Sequence, residues 1–318
     1  MSPSGLIRRF SDAELVSGMK KCVDEERKQM AWFLVCLSEV DKRKLFAEMG
    51  YPSLFEFCIK EFGLSESSAL RRIQVARLGH RFKEVYCLIE EGFHSLSTLS
   101  LLSPVLTWQN KDFLLEESKG KPKREVQRIV QKHFPNHKPP TEDVLKPVEG
   151  NRVELRFEVS LEFEKKLKKA KELLSHKYPK GKLEDILGDA LQVLLSQIDP
   201  ELAKPSTFTN KAREHSRYIR RGIQIEVWKR DGGACTFVSD TGKRCGSRKY
   251  LEWDHIIAFA HGGPSETQNL RLLCNAHNQL EARRKFGKSY LEKCIEKQRA
   301  FREKSGVAIT NPLSHRYG

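Results

Sequence analysis

The densest chemistry in the chain lies between Cys235 and Asn278. Two pairs of candidate metal ligands bracket it, Cys235…Cys245 and Cys274-Asn275-Ala276-His277. The two-residue gap of the second pair lets both side chains reach one tetrahedral ion. Three thiolates and one imidazole are the donor set of a closed structural zinc site, whereas a catalytic zinc keeps an open position. A small domain with so little apolar sequence would draw much of its folding energy from such an ion. The plainer reading is a set of buried cysteines and a surface histidine. Inside the bracket lie Glu252-Trp253-Asp254-His255-Ile256-Ile257, then His261-Gly262-Gly263, then Asn269-Leu270-Arg271-Leu272-Leu273-Cys274. Histidine titrates near neutral pH and suits proton abstraction from water. Carboxylate and amide oxygens suit a hard divalent cation.

In this order the residues resemble the HNH endonuclease family over roughly residues 217–290. The resemblance implies the ββα-metal fold, a two-stranded hairpin, a loop and a helix around one divalent ion. Asp254-His255 would end the first strand, the Gly-Gly loop would carry Asn269, and the helix would begin near Cys274. By the family pattern His255 is the general base and Asp254 a metal ligand, while Asn269 holds the loop and orients His255 through a hydrogen bond. Phosphodiester hydrolysis needs these types: a base working near pH 7, and a cation to neutralise the pentavalent phosphate and the leaving oxygen.

Many family members carry Cys-x-x-Cys-His at the third motif position, with the last histidine on the catalytic metal. Here the string is Cys274-Asn275-Ala276-His277-Asn278. If His277 stands in for the zinc cysteine, the catalytic position falls on Asn278. That resembles the H-N-N variant of RNA-guided CRISPR effector nucleases. An amide oxygen favours Mg²⁺ or Mn²⁺ over zinc. The other assignment makes His277 catalytic and leaves zinc three protein ligands. We prefer Asn278 and keep both at this point. The substrate implied is double-stranded DNA, although nothing in the motif excludes RNA. Arg271, Arg283 and Arg284 lie near the motif and are candidate phosphate contacts, each otherwise an ordinary surface charge.

Charge agrees with a polyanion partner. The 318 residues carry 57 Lys and Arg against 42 Asp and Glu, a formal net charge of +15. Residues 200–318 hold 23 basic and 12 acidic residues, net +11, which leaves +4 for residues 1–199. A basic field confined to one segment attracts phosphates and displaces their counterions. No apolar run approaches the ~20 residues that span a bilayer. Met1–Phe10 lacks a signal-peptide core. The expectation is a cytoplasmic protein with reduced thiols and no membrane partner. Cys22, Cys36, Cys58 and Cys87 are then expected to be small buried hydrophobes.

The elements that must position this chemistry read as mostly α and multidomain. Residues 1–140 form a helical domain, 150–200 a strand-helix-helix module and 210–318 the zinc-stabilised domain. Ser11-Asp12 caps a long helix with Leu15, Met19, Cys22 and Val23 at helical spacing. Further helices fit Ser53–Glu61, Ser65–Leu78, Glu84–Glu90, Ser97–Leu102, Trp108–Ser118 and Lys123–His133. Pro135–Gly150 and Pro200–Thr209 read as linkers, and the basic domain begins near Ala212. From Arg152 the period switches to two, with Val153, Leu155, Phe157 and Val159 on one face of a strand. Helices at Leu161–His176 and Leu183–Ile198 follow. A lone strand leaves its backbone groups unpaired, so it needs a partner from another domain or a second subunit.

Gly63 to Arg77 resembles a helix-turn-helix, and Glu91-Gly92-Phe93-His94 follows at a distance similar to that in ParB-type partition proteins. Arg71 and Arg72 would then meet DNA. The near-neutral charge of this segment fits a bundle without DNA contact equally well. The helical region joined to an HNH domain is similar to 13E12-repeat-like proteins of mobile elements. The strand-helix-helix unit resembles a ribbon-helix-helix module, which implies a homodimer through 152–198 with Arg152, Glu154 and Arg156 facing DNA. The leading expectation is a metal-dependent DNA endonuclease. The competing one is a DNA-binding regulator with a zinc-stabilised but inactive nuclease fold.

Overall fold

The computed structural model describes residues 10–135, 144–200 and 217–287, with single positions 289, 293 and 296 beyond them. The start of the basic domain near Ala212 and nearly all of the Pro200–Thr209 linker lie outside the described residues. The chain divides into two compact units. Eight helices and the segment 238–245 form the first.

The helices are α1 (Asp12–Arg43), α2 (Leu45–Glu48), α3 (Leu54–Phe62), α4 (Glu66–Arg81), α5 (Glu84–Glu90), α6 (Leu96–Leu102), α7 (Lys111–Ser118) and α8 (Lys123–His133). Their starts follow local chemistry. Ser11 and Glu14 make a reciprocal capping box at α1, and Ser53 and Ser95 cap α3 and α6, each satisfying an otherwise orphan backbone donor. Leu34 of α1, Leu78 and Phe82 around the end of α4, Leu99 and Leu102 of α6 and Leu114 of α7 are all under 2% exposed and make the core. Only the second half of α1 packs: Met19 is 69% exposed and its buried residues begin at Ala31. Three of the four cysteines expected to be buried are on the surface. Cys22, Cys36 and Cys87 are exposed and Cys58 alone is buried, because the apolar helical spacing on which they lie includes faces that nothing covers. The segment 238–245 joins this unit through Lys243, whose ammonium stands 3.4 Å from the Tyr51 ring centroid.

The second unit opens with a hairpin. Strand β1 (Val144–Val148) pairs antiparallel with β2 (Arg152–Arg156), Leu145 opposite Leu155 and Val148 opposite Arg152. The strand at 152 therefore finds its partner within its own chain, in what the composition suggested was linker. Gly150 and Asn151, both at positive φ, make the reversal, and Pro147 is tolerated because a two-stranded ribbon is all edge. Helices α9 (Leu161–Leu173) and α10 (Leu183–Ile198) follow.

Next come α11 (Arg221–Asp231), β3 (Leu251–His255), β4 (Leu270–Cys274) and α12 (Asn275–Phe286). β3 and β4 are antiparallel, with Asp254 opposite Arg271 and Trp253 opposite Leu272. Helix α11 covers one sheet face through a cluster of Val227, Leu270 and Leu272, flanked by Trp228 and Trp253. Its last residue, Asp231, accepts a hydrogen bond from the Leu272 amide at 2.8 Å. Helix α12 runs directly out of β4 with Cys274 at its N-cap. The architecture is mostly helical, with strands then helix in the C-terminal domain.

Candidate metal and nuclease site

Two groups of side chains flank the β3–β4 ribbon. The first is the thiol cluster. One ligand atom each from Cys235, Cys245, Cys274 and His277 lies within 4.8 Å of the others. His277 Nδ1 stands 3.1 Å from Cys274 Sγ and 3.5 Å from Cys235 Sγ. An ion bonded to sulfur at about 2.3 Å and nitrogen at about 2.0 Å in tetrahedral geometry sets ligand edges of roughly 3.5 to 3.8 Å, so the spacing fits. Cys235, Cys274 and His277 are buried. Phe237 stacks flat on the His277 ring, centroids 4.0 Å apart. Backbone bonds from the Cys235 amide to the Ser247 carbonyl and from the Gly246 amide back to the Cys235 carbonyl close the loop. The donor set matches the zinc-site variant read from the sequence, and His277 belongs to it.

The second group lines the face of β3 turned toward α12. Residues two apart on a strand share a face and cross-strand partners share it too, so Glu252, Asp254 and Arg271 lie together. Arg271 Nε donates to Asp254 Oδ2 at 2.9 Å, and its Nη2 to Glu281 Oε2 at 2.7 Å. Burial works against the guanidinium's charge, but the two carboxylates outweigh it and raise its pKa. Arg271, proposed for phosphate, is thus already shared between two carboxylates. Lys285 Nζ is 3.6 Å from the same Asp254 oxygen and donates to the His255 carbonyl at 2.7 Å. Among the described residues, Asp254 Oδ1 carries no hydrogen bond. Asn278, one residue beyond the thiol cluster's histidine, donates its amide to Glu252 Oε2.

His255 ends β3, where the chain leaves the sheet. Its Nε2 lies 3.0 Å from Ser265 Oγ. Burial depresses its pKa, Asp254 pulls the other way, and Arg217 and Lys285 add to the depression. A lowered pKa keeps the imidazole neutral at pH 7, the form that accepts a proton.

Asn269 is buried, and its side-chain bonds go to the backbone of the loop 256–269, while the His255 ring bonds elsewhere. Asn269 Oδ1 accepts from the Ile257 amide at 2.8 Å, and its Nδ2 donates to the carbonyls of Ile257 and Pro264 at 3.1 and 2.9 Å. The Asn269 carbonyl accepts from the Ile256 amide at 2.8 Å. The imidazole partner is Ser265 instead, which the spacing alone did not single out. Gly263 has no alternative in this loop: a Cβ there would lie 1.9 Å from the Ile257 carbonyl oxygen.

The remaining predicted cations are dispersed. Arg284 bonds Glu281 at 3.2 Å and lies over the Phe237 ring, and Arg283 is half-buried on α12. Arg71 and Arg72, in the first half of α4, bond the Ser67 and Ser68 carbonyls at 3.1 and 3.4 Å. Glu252 and Ser265 are the contributors that sequence reasoning passed over as site residues, and Lys285 it grouped only with the basic residues that could meet phosphate; their only signal was closeness to the motif.

Residues 242–284 match the family model for HNH endonuclease. This segment is therefore an HNH endonuclease domain, and the four-ligand cluster, to which it contributes Cys245, Cys274 and His277 beside Cys235, fits the zinc-bearing form of that domain. No curated protein and no solved structure matches the chain.

Proposed function

We propose that this chain is a metal-dependent endonuclease that hydrolyses phosphodiester bonds of double-stranded DNA through its HNH domain. The observation that carries the proposal is the segregation of donors. His277 sits among three sulfurs, and among the described residues the Asn278 oxygen takes no hydrogen bond while its amide reaches Glu252, which shares a face of β3 with Asp254. A divalent ion, Mg²⁺ or Mn²⁺, would be held by Asp254 Oδ1 and Asn278 Oδ1 and would neutralise charge on the phosphate and the leaving oxygen. His255 takes the proton of the attacking water. The water oxygen bonds phosphorus, one sugar P–O bond breaks, and that oxygen is protonated from solvent. The thiol cluster holds zinc and pins helix α12 to the ribbon.

Arg271 and Lys285 are assigned to holding Asp254 through its other oxygen. Arg283, Arg284, Arg71 and Arg72 are assigned to phosphate. The test is nicking or linearisation of supercoiled plasmid by the purified chain with Mg²⁺ or Mn²⁺, at several salt concentrations, beside linear, single-stranded and RNA substrates. Activity should vanish in His255→Ala while zinc content and folding stay unchanged. Binding should weaken steeply with salt, because phosphate contacts release counterions. DNA binding with no cleavage under any metal would favour the regulator reading. Preferred cleavage of RNA would replace the substrate.

A second copy of the chain is the partner we assign to residues 144–198. Across residues 145–199 only Ile186 is a buried apolar side chain, while fifteen large apolar ones are exposed, including Leu145 at 69%, Leu155 at 60% and Leu191 at 57%. Half-exposed side chains in that number present roughly 1,000 Å² of apolar surface, above the ~800 Å² per partner of a standard interface and apolar like an obligate dimer. A module without a core of its own needs a partner always at hand in equal amount, and an isologous contact with its own copy meets that need. Light scattering should give a dimer, and Leu155→Asp with Leu195→Asp a monomer. A wild-type monomer at all concentrations rejects the assignment.

A further inference from the structure

Glu252 shares a face of β3 with Asp254 and meets Asn278 from α12, and its bonds form a directed chain. Gln279 Nε2 donates to Asn275 Oδ1 at 3.0 Å. Asn275 Nδ2 donates to Glu252 Oε1 at 3.1 Å. Asn278 Nδ2 donates to Glu252 Oε2. An ionised carboxylate only accepts, so an amide that bonds it must present its NH₂. Resting on the metal-site reading above, we propose that Glu252 is a positioning residue that fixes the amide of Asn278, so that its oxygen and not its nitrogen faces the cation.

The reasoning is chemical. The two ends of an asparagine amide are nearly the same size and differ in kind: the oxygen is a hard donor, and the NH₂ has no lone pair to give a cation. An asparagine ligand therefore binds only in one of two orientations, whereas an aspartate binds in both. A histidine ligand has the same difficulty with its tautomers, solved by a partner on its far nitrogen. Glu252 does this for an amide. Asn275 and Gln279 in turn hold the carboxylate, so the direction of donation is set two bonds from the ion.

The same logic predicts how the effect depends on the residue at 278. Glu252→Gln keeps a side chain of the same shape but adds a donor, so Asn278 can turn over and still find a bond. In an Asn278→Asp background either carboxylate oxygen serves, and the amide of Glu252→Gln donates to it where the glutamate would repel it. The experiment measures Mn²⁺ binding by electron paramagnetic resonance on zinc-replete full-length protein, for wild type, each single variant and the double variant. Zinc content and thermal stability are recorded alongside.

Glu252→Gln should weaken Mn²⁺ binding about tenfold or more, the usual scale for a residue that orients a metal ligand, with zinc unchanged. Glu252→Gln in the Asn278→Asp background should leave Mn²⁺ binding equal or tighter. Unchanged binding in Glu252→Gln overturns the proposal. An equal loss in both backgrounds also overturns it, since that is the behaviour of a direct ligand or of a general structural support. Absence of Mn²⁺ binding by the wild type would strike at the metal-site reading itself, which separates the two failures.

Discussion

Two adjacent glycines in the loop after His255 make opposite demands, and one substitution in each distinguishes them. Gly262 has φ +83° and open space where a Cβ would go. Alanine there pays only for the left-handed backbone, about 1 kcal/mol. At Gly263 the added Cβ would lie 1.9 Å from the Ile257 carbonyl oxygen and 2.7 Å from Asn269 Nδ2. In a close-packed interior the backbone must retreat by about 1 Å to admit it. That retreat falls on Asn269, whose Nδ2 bonds to Ile257 and Pro264 are 3.1 and 2.9 Å long. Losing both, with buried polar atoms left behind, costs about 2 to 4 kcal/mol in local stability.

The readout is amide hydrogen exchange at Ile256 and Ile257, which donate to the Asn269 carbonyl and to its Oδ1. At 1.4 kcal/mol per factor of ten, Gly263→Ala should speed exchange there by roughly 30-fold to 1000-fold. Gly262→Ala should change it by less than about tenfold. Because the loop begins at His255, Gly263→Ala should also cut cleavage at least about a hundredfold, the scale of a 1 Å misplacement. Equal exchange rates in the two variants would refute the steric argument, and with it the reason given for Gly263.

Removal of the thiol-cluster metal by a strong chelator should unfold the region around β3, β4 and α12, and Cys274→Ser should do the same with loss of about one zinc per chain measured by elemental analysis. Full retention of Trp228 and Trp253 fluorescence in metal-free protein would contradict the ligand set. Asp231→Ala should destabilise the second unit by about 2 to 3 kcal/mol in urea unfolding, because the Leu272 amide loses its acceptor; an effect under half of that would show the bond to be dispensable. In the first unit, burial lowers the His94 pKa below its ordinary 6.5. The folded form then binds its proton less tightly than the unfolded form. Stability is full above that value and falls as pH drops through it, by at most about 1.4 kcal/mol per pH unit. Thermal melts of wild type and His94→Gln between pH 7.5 and 5 should converge at the acid end, and parallel curves would reject the assignment.

Helix starts were legible because capping is local. Ser11 announces α1 and Ser53 the start of α3, and the structure puts caps there, whereas α6, expected from Ser97, begins at Leu96 behind the Ser95 cap. What lay beyond local reach was which faces are covered. Met19 and Val23 stand four apart and Leu34 and Leu37 three apart, both spacings that share a helix face, yet only the latter pair is buried. Strand β1 hid for a related reason. Val144-Leu145-Lys146-Pro147-Val148 is too short and too proline-marked to read as a strand, and its pairing depends on partners four to twelve residues away. The Gly150-Asn151 turn was the one available signal, and it stood inside a stretch whose composition argued for linker.

The motif residues of the site divide along the same line. Asp254, His255, Asn269 and the thiol cluster were readable because their side-chain chemistry is rare and their order is fixed. Glu252, Ser265 and Lys285 are common residue types, and what makes them matter is register. Glu252 reaches Asn278 only because β3 pairs with β4 so that Glu252 stands opposite Leu273, two residues before the helix begins that turns Asn275 and Asn278 back over the strand. Slipping that pairing by one residue would turn Glu252 and Asp254 to the face packed against α11, where Leu270 and Leu272 now lie. The buried cluster of Val227, Leu270 and Leu272 resists the slip, since it would set two carboxylates against that cluster and turn Leu251 and Trp253, which pack on it, to the other face. The chemistry of the oxygen face is thus fixed by the hydrophobic face behind it, which is why a search for reactive residue types finds the motif and misses the residues that orient it.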